Sequence, residues 1–427
     1  MITTLVLVSA LASEVTLRAS LAYNGRQVTS PCALPCVSRD GRYIGFHTND
    51  NLDDRIGNPR GDGYARDLLT GRIERVTVAN DGSLGNDLSS IFGFSADNRF
   101  VVYDSEATNM VFGDTNGMND IFVRDRLLQT TEMVSVTHDG QLANGVSEIP
   151  SISGDGRFVV FDSNATNLVP SDTNGKNDIF VRDRWLATTL RVSVSSTGEQ
   201  ADRDSWGASI SADGRYVVFQ SYARNLIPDD TNRRLDVYLH DMQTGETERV
   251  STATDGTEGN SDSNLVFAST PISADGRFVT FFSTASNLVP GDTNRSVDTF
   301  VRDRWTGETK RVSLRSDGGQ GNHGGGDSVI SADGRYICFF SASTNMTNEN
   351  DANGTLADLF MRDTMTGETW RITNSTAGEQ ADNWCGYQSM SASGLVVVFQ
   401  SQATNLAPND TNGFMDVFVH INSRLRR

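Results

Sequence analysis

Ser211-Ala-Asp-Gly-Arg-Tyr-Val-Val-Phe219 decides the fold. The stretch returns, with small changes, from Ser38, Ser95, Ser153, Ser273, Ser331 and Ser391. A spacing of roughly 58 residues between copies marks one repeated unit, and periods of this order belong to radial β arrays. Each copy leads into S-x-A-T-N-L, D-T-N-G, D-[IV]-F-V-R-D and T-G-E-T-x-R-V-S, with substitutions. In the third copy Ile149–Ser153 is a short apolar segment and Asp155-Gly156 a tight-turn signal. Phe158–Phe161 and Asp178–Arg182 are β-prone runs, and Leu190–Val194 alternates apolar with polar. Nothing in the unit has helical periodicity. Four strands per unit, a to d, predict a four-stranded antiparallel sheet. Seven such sheets around an axis make an all-β, seven-bladed β-propeller. Strands b and c are apolar on both faces because each blade is sandwiched between two others.

The chain ends predict how the ring closes. The last unit stops after Asp416-Val417-Phe418-Val419-His420, short of its strand d. Leu17-Arg18-Ala19-Ser20-Leu21 matches Leu190-Arg191-Val192-Ser193-Val194, and Gly25 and Gln27 keep step with Gly198 and Gln200. The N-terminal strand is therefore expected to complete the last blade and leave no free sheet edge. Residues 14–427 read as a single propeller domain. Residues 1–13, with a short apolar core and Ala10-x-Ala12, read as a short signal peptide, the alternative being an extra strand.

Two motifs, S-x-D-G-R-[FY]-[VI]-x-F at the a–b turn and D-[IV]-F-V-x-D-x-x-T-G-E-T at the c–d turn, resemble the WD40-like (PD40) repeats of TolB-like propellers. The resemblance runs from about Glu14 to His420 and implies a secreted, periplasmic or cell-envelope β-propeller. The b–c loop here is longer than is usual in that family, and the sequence shows no α/β segment of the kind TolB carries. The family includes binding proteins, peptidase-associated propellers and lyases, so the fold does not decide function.

Composition excludes some classes. A formal charge of −18 opposes nucleic acid and anionic membrane surfaces and suits cation binding or simple solubility. No apolar run is long enough to span a bilayer.

The b–c and d–a loops are long and share one face of the disc, which makes that face the expected binding surface. The b–c loops repeat a D-x-N-x-x-x-D pattern: Asp114/Asn116/Asp120, Asp172/Asn174/Asp178, Asp230/Asn232/Asp236, Asp292/Asn294/Asp298 and Asp410/Asn412/Asp416. Asp351, Asn353 and Asp358 form a version stretched by one residue. In the first unit Ile56 replaces the first Asp and Asp62 keeps the last. Alternating hard oxygens about a Gly turn resemble calcium loops, without the full ligand set of an EF-hand. The competing reading is Asx-turns that shape the loop and cap strand c.

Trp206 and Trp384 precede inner strands and read either as ligand-stacking residues or as loop core. Cys32 and Cys385 hold equivalent places on the first and seventh units and predict a disulfide across the closure; Cys36 and Cys338 read as buried thiols. There is no G-x-S-x-G and no H-E-x-x-H. His240 and His420 sit where other units have Arg124 or Arg182, and no carboxylate recurs beside His47, His138 or His323.

These features predict a non-enzymatic, monomeric binding scaffold for a protein or glycan. It needs no cofactor, and calcium is the candidate ion for ordering the loops. A carbohydrate-active lyase or glycosidase on the same face is the alternative, and a structural module of a surface assembly the third reading.

Overall fold

In the third unit strand a is Ser147–Ile152, b is Phe158–Ser163, c is Asp178–Asp183 and d is Thr188–Arg191, hydrogen-bonded antiparallel in that order. Seven such sheets form the ring of a seven-bladed propeller. The computed structural model describes residues 14–53, 58, 60–228, 230–265, 270–349 and 351–426. The expected signal peptide lies outside the described residues, as does Ile56.

The recurrent turn explains its own sequence. Ser153 Oγ donates to Asp155 Oδ1 at 2.6 Å, and the Arg157 amide donates to the same oxygen at 2.9 Å. The Phe158 amide returns to Ser153 Oγ at 2.9 Å. Arg157 then crosses to strand c, where Nη2 meets Asp183 Oδ2 at 2.6 Å. Gly156 has φ +74°, and a Cβ there would stand 2.4 Å from the Phe100 ring of the preceding blade. The turn glycine thus serves both conformation and blade stacking.

Between blades the core is continuous. Val160, Ile179 and Val181 of the third blade pack on Ile210, Val217 and Phe219 of the fourth. Each fully buried side chain of this size contributes about 1.5–3 kcal/mol. The ring closes as the ends predict. Val15–Arg18 pairs with Phe418–Ile421, setting Leu17 opposite Val419 just as Leu190 lies opposite Val181.

Strands a line the axis. Their middles carry bulges, at Glu148/Ser151 and Trp206/Ser209 for example, and Leu34, Ile149 and Tyr387 take φ of 50°, 53° and 50°. Below the bulges Phe94, Ile152, Ile210, Ile272 and Ile330 line an axial channel of about 90 Å³. That is well under the roughly 300 Å³ of a small ligand pocket.

The cysteine reading needs correction. All four cysteines are free and buried. Cys32 belongs to the core between the seventh and first blades, whereas Cys385 belongs to the core between the sixth and seventh. Rotationally equivalent positions face the same way round the ring, so the sheet of the seventh blade separates the two thiols.

Candidate functional site: the long-loop face

An arginine stands between the two aspartates of nearly every b–c loop. In the third blade Arg191 Nη1 lies 3.1 Å from Asp172 Oδ1 and 3.3 Å from Asp178 Oδ2. Arg249 meets Asp230, Asp236 and Glu258, Arg311 meets Asp292 and Asp298, and Arg371 meets Asp351 and Asp358. At the closure Arg18 of the N-terminal strand meets Asp410 and Asp416. In the first blade Arg75 meets Asp62 and, in place of the missing loop acid, Asp53. The asparagines shape the loop. Asn174 Nδ2 donates to Asp178 Oδ2 and to the Ala201 carbonyl, while its Oδ1 accepts from the Lys176 amide. Asn116, Asn232 and Asn412 make the same link to Asp120, Asp236 and Asp416, Asn353 reaches the Ala381 carbonyl, and Asn294 accepts from the Ser296 amide. The guanidinium supplies the positive charge in these loops. Burial still outweighs it at Asp236 and Asp358, whose carboxyls are pushed up to about 6. Among the described residues no three His, Cys, Asp or Glu side chains converge as a metal-binding group.

The second blade departs from this scheme. Its strand d, Thr130–Met133, places Met133 opposite Phe122, where Arg191 lies opposite Phe180. Met133 packs on Tyr103, Ala107, Met110 and Phe122. Asp114 is 8% exposed and its Oδ1 has no hydrogen-bond partner.

A second arrangement lies nearer the axis, and the sequence reading missed it. The variable residue between the last aromatic and the closing Ser or Thr of strand b is His47, Asp104, Asp162, Gln220, Phe282, Phe340 or Gln400 in successive blades. This position reaches across to the backbone of the next blade's innermost segment. Gln400 Oε1 accepts the Leu34 amide at 3.2 Å, and Gln220 Oε1 accepts the Leu265 amide at 2.7 Å. Asp104 receives the Ile149 amide in the same way, and Asp162 that of Gly207. Burial, with the charge of Glu148 close by, pushes Asp104 up to about 8 and Asp162 up to about 7. Glu148 is exposed in front of the two buried acids. The signal was present as the variable site within a recurrent [FY]-x-[ST] ending of strand b.

Two aromatic pairs flank this axial mouth. Trp206 is half-buried against the exposed Tyr222, with centroids 5.5 Å apart, and Trp384 is half-buried against the exposed Tyr387 at 5.9 Å. Gly386 lets Trp384 lie on the backbone, since a Cβ there would stand 2.4 Å from the indole. His47 is half-buried on the ring just described, and burial lowers its pKa. His138 and His323 are exposed. His240 and His420 bond Thr247 and Thr16 as Arg124 bonds Thr131, which makes them members of a structural position. Trp185 and Trp305 lie on the opposite, short-turn face, over Arg157 and Arg277.

Comparison with solved structures gives the fold. An oligogalacturonate lyase in complex with manganese superposes with a TM-score of 0.57 at 13% identity, over 96% of this chain and 94% of that one. Oligogalacturonate lyase from Vibrio parahaemolyticus gives 0.55 at 12% identity, over 95% and 93%. A putative TolB from Agrobacterium tumefaciens gives 0.40 at 13%, over 93% and 92%. No family model and no curated protein matches the sequence. Seven copies of one four-stranded sheet decide the matter. The fold is that of a seven-bladed β-propeller. Identities this low speak for architecture alone. No described helix is long and apolar enough to cross a membrane.

Proposed function

We propose that this protein is a non-enzymatic, monomeric binding scaffold of the cell envelope or exterior, recognising a protein or glycan at the axial mouth of the long-loop face. The observation that carries the reading is the pair of half-exposed indoles, Trp206 and Trp384, each braced by a tyrosine beside the axis. Such surfaces accept the apolar face of a sugar ring or the side chain of a basic residue. Charge narrows the ligand further. Exposed Glu148 and a net charge of −18 oppose a polyanion such as an oligogalacturonate, so the ligand is neutral or basic. The test is a screen of neutral and basic glycans and basic peptides, followed by Trp206→Ala and Trp384→Ala. Each substitution is expected to weaken a true ligand about tenfold, with the circular dichroism unchanged. Equal affinity in both variants would remove the mouth as the site.

A second reading is a carbohydrate-active enzyme, a lyase or a glycosidase. Asp104 and Asp162 favour it, because buried carboxyls held protonated near neutral pH are suited to general acid work. Release of new reducing ends that vanishes in Asp162→Asn would select this reading. Turnover indifferent to both acids would reject it.

A further inference from the structure

The arginine scheme has one gap, and the gap has the shape of a cation site. In six blades one strand-d guanidinium approaches both loop carboxylates, at distances between 2.8 and 3.8 Å. Ring repetition fixes where that charge sits: between the first and last aspartates, beneath the Asn turn. In the second blade Asp114, Asn116 and Asp120 hold the same places, but Met133 occupies the arginine position. The other donor is missing too. In the sixth blade Gln380 Nε2 donates to Asp351 and Asp358, and in the third Gln200 bonds Thr173. Leu142 is the residue at that place in the second blade.

The consequence appears in the side chains. Asp120 keeps its structural bonds, from Ser135 Oγ at 2.6 Å and Asn116 Nδ2 at 2.7 Å. Asp114 does not. It is only 8% exposed, and its Oδ1 has no hydrogen-bond partner. Among the described residues no ion pair reaches either carboxylate, whereas the equivalent acids elsewhere all have one. An uncompensated pair of buried carboxylates is costly, and its cost falls once a cation occupies the space between them.

We propose that the second-blade loop, and no other, binds a hard divalent cation of the calcium class through the Asp114 and Asp120 carboxylates. The Asn116 turn frames the site, and water completes the oxygen shell that calcium requires. This inference is independent of the axial mouth. It narrows the calcium expected of six loops to one, because in the other five an arginine already holds the position.

Isothermal titration of the chelator-treated full chain with calcium chloride tests it. One ion per chain is expected, with a Kd of about 10⁻⁴–10⁻³ M, the range of extracellular calcium modules. Met133→Arg should abolish the heat of binding and raise the thermal midpoint measured in chelator, since it restores the missing guanidinium. Asp114→Asn, which removes a ligand without adding bulk, should weaken binding at least about tenfold and keeps the test open should Met133→Arg fail to fold. No binding in the parent up to about 10 mM, a stoichiometry above one, or undiminished binding in either folded variant overturns the proposal.

Discussion

At the scale of the residue, Arg191 and Met133 are two answers to one position. Arg191 is the cation for two carboxylates that are 2% and 0% exposed in their side chains. Arg191→Met should therefore cost about 3–5 kcal/mol, the loss seen when one partner of a buried ion pair is removed. Urea unfolding measures it, and a loss below about 1 kcal/mol would mean the pair is solvated. The D-x-N-x-x-x-D motif was legible in the sequence, and so was the repeated R-V-S. Their meeting was not, because it depends on the c–d register, which only the folded sheet supplies. Asp104 and Asp162 were hidden for the opposite reason. A repeat reading keeps the constant positions and discards the variable one, and here the variable one carries the chemistry. Their titration gives a signed prediction. An acid whose folded pKa lies above its unfolded value binds its proton more tightly when folded. It costs nothing below the unfolded pKa, and stability is lost as pH rises towards the folded value. With folded values of about 8 and about 7, the loss accumulates from near pH 4 and is complete above pH 8. Asp104→Asn and Asp162→Asn should thus raise the melting midpoint at pH 8 and leave it nearly unchanged at pH 4. Gln220 and Gln400 already show that an amide satisfies the neighbouring backbone. A gain as large at pH 4 as at pH 8 would refute the assignment.

At the scale of the element, turns and the closing strand do distinct work. Gly276 has φ +72°, and a Cβ there would stand 2.1 Å from the Tyr216 ring; Gly318 has φ +81° with nothing within 4 Å. Alanine at either position incurs the left-handed penalty of roughly 1–2 kcal/mol. Gly276→Ala adds a clash between blades and should lose about 1–3 kcal/mol more than Gly318→Ala. Equal losses in thermal or urea unfolding would show that blade stacking yields easily. The closing strand was legible because its sequence is a displaced copy of strand d. Removing residues 14–22 takes away the pairing with Phe418–Ile421, the Arg18 bridges and the Ser20 bond to Asp416. The truncated chain should melt well below the parent, and identical melting would mean the seventh blade stands on three strands. The cysteines show where element reading fails. Cys32 and Cys385 do hold equivalent places on the first and seventh blades, yet equivalence is also what points both the same way and keeps a sheet between them.

At the scale of the molecule, the ring treats its seven junctions nearly alike. In the seventh blade the c–d connection is covalently open, between Ile421 and Val15. Elsewhere the same connection is a short turn, such as Met242 to Glu246 between Asp241 and Thr247. If propeller stability is a sum over equivalent blade contacts, the position of the break is immaterial. A permutant that joins Ile421 to Val15 through a four-residue turn and opens the chain between Gln243 and Thr244 tests this. It keeps every strand pairing and the arginine bridges of the fourth and seventh blades, and gives up only the contacts of the C-terminal turn, such as Arg424 with Glu368 and Trp370. It should fold and melt within a few degrees of the parent, because loop closure changes little when turns of similar length are exchanged. A permutant that fails to close would mean that the N-terminal strand is a dedicated clasp, with a role in folding that its copies elsewhere do not share.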